Sequence, residues 1–303
     1  MSPMLPYPLL IILGTFYLFV GIIGVIGNAM MVICFFKNSK FNSACHVLIT
    51  VTCLADLFHI GGEFIFTVQI FGDFTTPQYT CFYMMILPII GATAGSPLIL
   101  AIGIDRLIAV QFPHSYRIIH AKRGRYIVTH LLFPVVYTFG VLVMGFNSRS
   151  VLDGFQVQCP LPVALGPAYE FLSFANAIIN FLVVLIYTSV FILLKLHPST
   201  EHSKTVFTSL IVTVSFILAG WGITASMNIV NYLLVTDMFI YEFIQLYSGI
   251  PIIFSLSSTV FVFHAVNPEY RKALNSLLSV VGIRIKEKRS NSWVQTKVVS
   301  SVF

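Results

Sequence analysis

The chain has 303 residues, 57% of them hydrophobic and only 9% charged. Soluble domains carry about 25% charged residues, so this chain has too few to wet the surface of a globule of 33.8 kDa. Disorder is excluded too, because a disordered chain needs low hydrophobicity and high charge. A bilayer-embedded protein remains, and a mean hydropathy of +0.91 agrees with it.

A helical span needs roughly 20 mainly apolar residues to cross about 30 Å of hydrocarbon. After a short segment, residues 1–8, Leu9–Phe36 carries no charge. It is too long for the core of a cleaved leader and is followed by Lys37 and Lys40, so it is expected to stay as span one. His46–Phe71 carries only Asp56 and Glu63. Thr75–Ile104, Tyr126–Ser148, Phe171–Leu194, Val206–Thr236 and Phe243–Val266 are free of Asp, Glu, Lys and Arg. The sequence thus predicts an all-α membrane protein of seven spans over 9–266, with 267–303 as a tail. The runs are continuous rather than alternating, which excludes a β-barrel.

Basic residues set the orientation. With the N-terminus outside, the inner segments 37–45, 112–125, 195–205 and 267–303 hold fifteen of the 17 Lys and Arg. Arg106 stands at the inner end of span three, and Arg149 alone lies outside. This is the positive-inside pattern. The net charge of +6 is therefore a topology signal, and no basic patch on a soluble fold is left to bind nucleic acid. The five cysteines divide the same way. Cys34, Cys45 and Cys53 fall toward the inner side. Cys81 and Cys159 fall on the outer, oxidising side and are the expected disulfide pair.

Short motifs carry the next inference. Gly24-Val-Ile-Gly-Asn28 lies in span one and Leu54-Ala-Asp-Leu57 in span two. Ile102-Gly-Ile-Asp-Arg-Leu-Ile-Ala-Val110 closes span three, with Cys81 standing 25 residues before Arg106. Phe112-Pro113, Tyr116-Arg117 and Glu269-Tyr-Arg-Lys-Ala273 complete the set. Together they resemble the rhodopsin-like G-protein-coupled receptors, and among these the nematode serpentine chemoreceptor family Srsx, from about Gly21 to Leu274.

The resemblance implies roles residue by residue. Asp105 and Arg106 would form the switch that a Gα subunit meets. Asp56, with Asn28, Ser96, Ser255 and Thr259, would form the activation network and hold a sodium ion or a proton. Read alone, Asp56 has a hydrogen-bonded, protonated structural acid as its other reading, and the functional one is favoured because intramembrane acids are functional by default. Trp221, in Gly220-Trp-Gly222, would be the toggle beneath the ligand; a lipid-facing Trp is the other reading. Its helix has no Pro, so the flanking glycines are expected to supply the flexibility. Many receptors add an acid at the foot of span six. Ser203-Lys204-Thr205 stands there instead. Asn267-Pro268 resembles the start of an NPxxY motif, but its Tyr270 comes one residue early, and Thr259, Val260 and Phe263 stand where that motif would fall. Pro251 is the expected bend of span seven, and 269–280 suits a short amphipathic eighth helix on an anionic leaflet.

The ligand site is expected in the outer half of the bundle, around His59, Glu63, Pro88 and Trp221. Pro88 stands where amine receptors carry an aspartate, so an aminergic site is not expected. Glu63 lies seven residues after Asp56 on the same helix face, with His59 one turn below. Glu63 either faces the pocket or makes a polar helix–helix contact. A small-molecule or peptide ligand, a heterotrimeric G protein, membrane lipid and, through Ser290, Ser292, Thr296, Ser300 and Ser301 of the tail, arrestin are the expected partners. No enzyme set is visible: no HExxH, no phosphate loop and no nucleophile–base pattern. A neuropeptide receptor of the same fold is the alternative. A transporter is a third reading, for which the internal repeats of that class are missing.

Overall fold

The computed structural model describes residues 6–39, 41–120, 122–148, 154–196 and 201–280, the side chains of 119, 120, 201–210, 213, 238 and 280 excepted. It contains seven helices long and apolar enough to cross a membrane. They are Tyr7–Lys37, Ala44–Gly72, Ile86–Gln111, Arg123–Ser148, Ala168–Leu196, Val214–Leu234 and Phe239–Val266, called spans one to seven below. The protein is a multi-pass membrane protein. Its spans carry large apolar side chains that face away from the bundle, such as Phe36 (75% exposed), Phe139 (67%) and Phe181 (62%). In water such a surface would aggregate; in a bilayer it meets lipid.

The spans close into a ring. Span one packs on two and on seven, two on three, three on four and five, five on six, and six on seven. Span three occupies the middle and span four the rim. Small residues set how closely the backbones approach. A methyl group on Gly91 of span three would stand 2.2 Å from the Ala55 carbonyl oxygen and 2.5 Å from the His59 amide nitrogen of span two. Spans one and seven are stapled by four hydrogen bonds, one of them from Asn28 and described below. Tyr17 donates to the Leu246 carbonyl (2.8 Å), Tyr247 to the Leu9 carbonyl (2.9 Å) and Ser257 to the Val20 carbonyl (3.0 Å).

Helix ends follow their local chemistry. Ser43 Oγ accepts from the His46 amide and caps span two. Asp73, in the left-handed region (φ 47°), ends it. Asn267-Pro268 is a helix start: Asn267 Oδ1 accepts from the amides of Glu269 (3.0 Å) and Tyr270 (3.3 Å), and Pro268 is the first residue of the tail helix Pro268–Val280. Tyr270 turns inward, stacks on Phe41 with centroids 4.5 Å apart, and meets Phe263 at 4.8 Å. This stack fixes the tail helix to the connection between spans one and two. Burial pushes the Tyr270 hydroxyl well above its ordinary pKa.

Two spans differ from the continuous runs expected. Thr75–Ile104 is not one helix. Thr76–Pro77 is a strand, Gln78–Met84 a short helix carrying Cys81, and the span proper begins at Ile86. Pro88 has no N–H to give the Met84 carbonyl, which accounts for the break. Span seven is likewise divided at Ser248, between Met238–Tyr247 and Gly249–Val266. Pro251 leaves the Tyr247 carbonyl without its helical donor in the same way.

Candidate functional site

The first site lies at the end of the bundle where span three meets the helix Pro113–His120. Asp105 is fully buried and is surrounded by donors. Arg106 forms an ion pair with its Oδ2, the Nε donating at 2.8 Å. Tyr116 and Tyr126 donate to Oδ1 at 3.2 and 3.1 Å. Arg106 also donates to the Tyr116 hydroxyl at 3.1 Å. Burial, and then the Asp105 carboxylate beside it, push the Tyr116 hydroxyl above its ordinary pKa, so it remains a donor. Tyr187 of span five packs on Gly103 one turn above. The result is a closed cluster in which every charge has a partner. Neither Tyr116 nor Tyr126 could be assigned to Asp105 from sequence. They stand 11 and 21 residues away, and only the turn between spans three and four brings them back. The side chains of Glu201, Ser203, Lys204 and Thr205 lie outside the described residues, as do Arg149 and the tail serines and threonine.

The second group lies mid-bundle. Span one meets span two at Gly21 with Phe64 and at Gly24 with Ile60, an antiparallel register that sets Asn28 opposite Asp56. Asn28 donates to the Gly24 carbonyl (3.0 Å) and to the Leu256 carbonyl of span seven (3.2 Å). Four buried oxygens from four spans, Asn28 Oδ1, Asp56 Oδ2, Ser96 Oγ and Thr259 Oγ1, make no hydrogen bond among the described residues. Buried polar atoms of this kind need a partner. Oxygen atoms of this kind are the hard donors that a sodium ion takes, and such an ion would bring a charge to balance Asp56. Ser255 donates to the Ile252 carbonyl at 2.8 Å, which leaves its oxygen lone pairs as acceptors. The glycines beside Trp221 divide. A methyl group on Gly220 would stand 2.4 Å from Ser255 Oγ and 2.8 Å from the Pro251 carbonyl, so Gly220 is a close contact between spans six and seven. Gly222 has open space around it. The flexibility expected of this pair therefore belongs at most to Gly222.

The third group surrounds a narrow cleft of about 50 Å³ at the disulfide end of the bundle. Glu63 and His59 line it from span two, Tyr17 from span one, Tyr169 from span five and Gln245 from span seven. Glu63 is within electrostatic reach of the Tyr17 and Tyr169 hydroxyls. Trp221 is 8% exposed and so does not face lipid. It lies just beneath the cleft, its ring centroid 5.9 Å from that of His59. Pro88 lies outside the cleft, packed against Gly62. Tyr17, Tyr169 and Gln245 carry no sequence signal of their own, since a tyrosine in an apolar helix reads as core or lipid contact.

A loop roofs the cleft with Pro160, Leu161 and Pro162. It is held by the Cys81–Cys159 disulfide and by an antiparallel strand pair, Thr76 with Val157 and Pro77 with Gln156. Two buried glutamines add to this. Gln69 Oε1 accepts from the Cys159 amide (2.6 Å), and Gln78 donates to the Val163 and Ala164 carbonyls (both 3.2 Å). A disulfide closing a loop of 78 residues is worth about 4 to 5 kcal/mol in the chain-entropy picture. Here it contributes less, because the strand pair and glutamines tie down the same loop and spans stay helical when the bundle loosens. Cys159→Ser should lower the thermal midpoint of the solubilised protein by several degrees. An unchanged midpoint would mean the bond contributes nothing.

Comparison with known families decides the class. Residues 21–278 match the family model described as serpentine type 7TM GPCR chemoreceptor Srsx. The chain belongs to the Srsx family. No curated protein matches it. In this Srsx protein three groups of polar and ionisable residues stand at three levels of one bundle: the Glu63 cleft, the Asp56 group and the Asp105 cluster.

Proposed function

We propose that this Srsx protein is a chemosensory receptor of the plasma membrane, with its N-terminus outside and its tail inside. It binds a small extracellular ligand in the Glu63 cleft and activates a heterotrimeric G protein at Arg106. The observation that carries the reading is the Asp105 cluster. It is a buried acid that holds an arginine at the end of the bundle where the basic segments lie, and the arginine is released only if its bonds to Asp105 and to Tyr116 break. Ligand entry beneath the roofing loop shifts His59 against Trp221. Span six then moves at its far end, the Asp105 cluster opens, and Arg106 becomes available to the Gα C-terminus. The basic face of the tail helix meets the anionic inner leaflet, and the tail serines recruit arrestin once phosphorylated.

The cluster can be tested without knowing the ligand. Tyr116 and Tyr126 hold Asp105 in the closed arrangement. A hydrogen bond to a charged group is worth about 1.5–3 kcal/mol, so removing one shifts a closed–open equilibrium about tenfold or more. Tyr116→Phe with Tyr126→Phe should raise ligand-free nucleotide exchange on Gα at least tenfold at equal surface expression. Exchange that stays at the wild-type level with every Gα class would count against the switch.

A further inference from the structure

The composition of the cleft specifies a ligand class more closely than its position does. Its lining contains one carboxylate, Glu63, and no lysine or arginine. Among the described residues, Glu63 forms no ion pair. The other groups facing it are the neutral polar side chains of Gln245 and Thr224, the hydroxyls of Tyr17 and Tyr169, the ring of Phe66 and the imidazole of His59. A carboxylate in a membrane-embedded cleft is costly unless a positive charge meets it. The described residues supply none there. They supply aromatic rings instead, and the negative face of an aromatic ring attracts an alkylammonium group. The cleft is small, about 50 Å³, and its roof of Pro160, Leu161 and Pro162 is tied down by the disulfide and two glutamines. A compact head group fits such a site; a bulky one does not.

We infer that the cleft recognises a small organic cation, an amine or quaternary ammonium, with Glu63 as its counter-ion and Tyr17, Phe66 and Tyr169 as its aromatic walls. The inference rests on the cleft being the ligand site. It explains how such a ligand can be held although Pro88 replaces the acid that amine receptors carry on span three: the charge comes from span two. A neutral ligand would leave Glu63 either charged and alone or protonated, and neither uses the aromatic walls.

The test reads binding directly and needs no G protein, so it can fail while the coupling assignment stands, and the reverse. The full-length protein in zwitterionic lipid nanodiscs is titrated with methylammonium, tetramethylammonium and choline, and its thermal midpoint is followed. The neutral isostere of choline, 3,3-dimethylbutan-1-ol, is titrated in parallel. At least one cation should raise the midpoint saturably, and the isostere should bind at least tenfold more weakly than choline. Glu63→Gln should remove the shift, and Glu63→Asp should retain it at lower affinity. Should Glu63→Gln not fold, the comparison of choline with its isostere on the unmodified protein decides. The inference is overturned if none of the cations gives a saturable shift, if the isostere equals choline, or if folded Glu63→Gln responds like the parent.

Discussion

Arg106→Ala should remove the proposed G-protein activation while leaving the protein at the cell surface. Both halves follow from the Asp105 cluster. Arg106 is 18% exposed in its side chain and reaches the end of the bundle, so it is the guanidinium a Gα helix would meet when the cluster opens. Its planar fork can satisfy two or three carbonyls at the exposed C-terminus of that helix. At about 1.5–3 kcal/mol for each charged hydrogen bond, their loss costs on the order of a thousandfold in coupling, which is below detection in a nucleotide-exchange assay. Folding survives because Asp105 keeps the hydroxyls of Tyr116 and Tyr126 as donors. Arg106→Lys should recover only part of the signal, since an ammonium lacks the fork. Exchange retained by Arg106→Ala at equal surface expression would sink the assignment.

Gly91→Val should abolish the folded receptor altogether. The methyl group that any larger residue adds at position 91 falls 2.2 Å from one backbone atom of span two and 2.5 Å from another. Backbone cannot swing aside as a side chain can. Spans two and three must therefore separate, and their contact is the most extensive in the bundle. Overpacking a core costs about 1–3 kcal/mol when side chains can yield; here they are not what yields, so the cost is larger. The check is monodispersity of the detergent-extracted protein by size exclusion. Gly95→Ala and Gly140→Ala, whose added carbon meets nothing within 4 Å, should elute as the parent does. A monodisperse Gly91→Val protein would mean the two spans are not held as described.

These two expectations differ in how visible they were in the sequence. Arg106 was legible because a charged pair that closes an apolar run is conspicuous, and its distance from Cys81 marks which pair it is. The seven spans were legible because apolar length is a property of the chain itself. The disulfide followed from compartment. What was hidden depends on which faces meet. Nothing near Gly91 announces that it faces the Ala55 carbonyl rather than lipid. Tyr116 and Tyr126 reach Asp105 from beyond a turn, and Tyr17 and Gln245 reach the cleft from opposite ends of the chain. The breaks at Met85 and Ser248 were readable in principle, since a proline stands three residues beyond each. Continuous hydropathy masked them. Asn267-Pro268 was legible through its spacing: Tyr270 comes one residue early for a motif of the spans, and the structure uses the pair for the cap and first turn of the tail helix.

The closure of span one on span seven has a consequence for how the chain is made. Span one emerges from the ribosome first and its partner last. Until residues 246–257 are inserted, Tyr17 and Asn28 have no carbonyl to meet on span seven, and the small face around Gly24, which the finished protein covers with Ser257, is open to lipid. An incomplete chain therefore leaves polar groups of span one facing hydrocarbon, where an unmet donor or acceptor is costly. The seventh span completes the count of helices and also removes that cost.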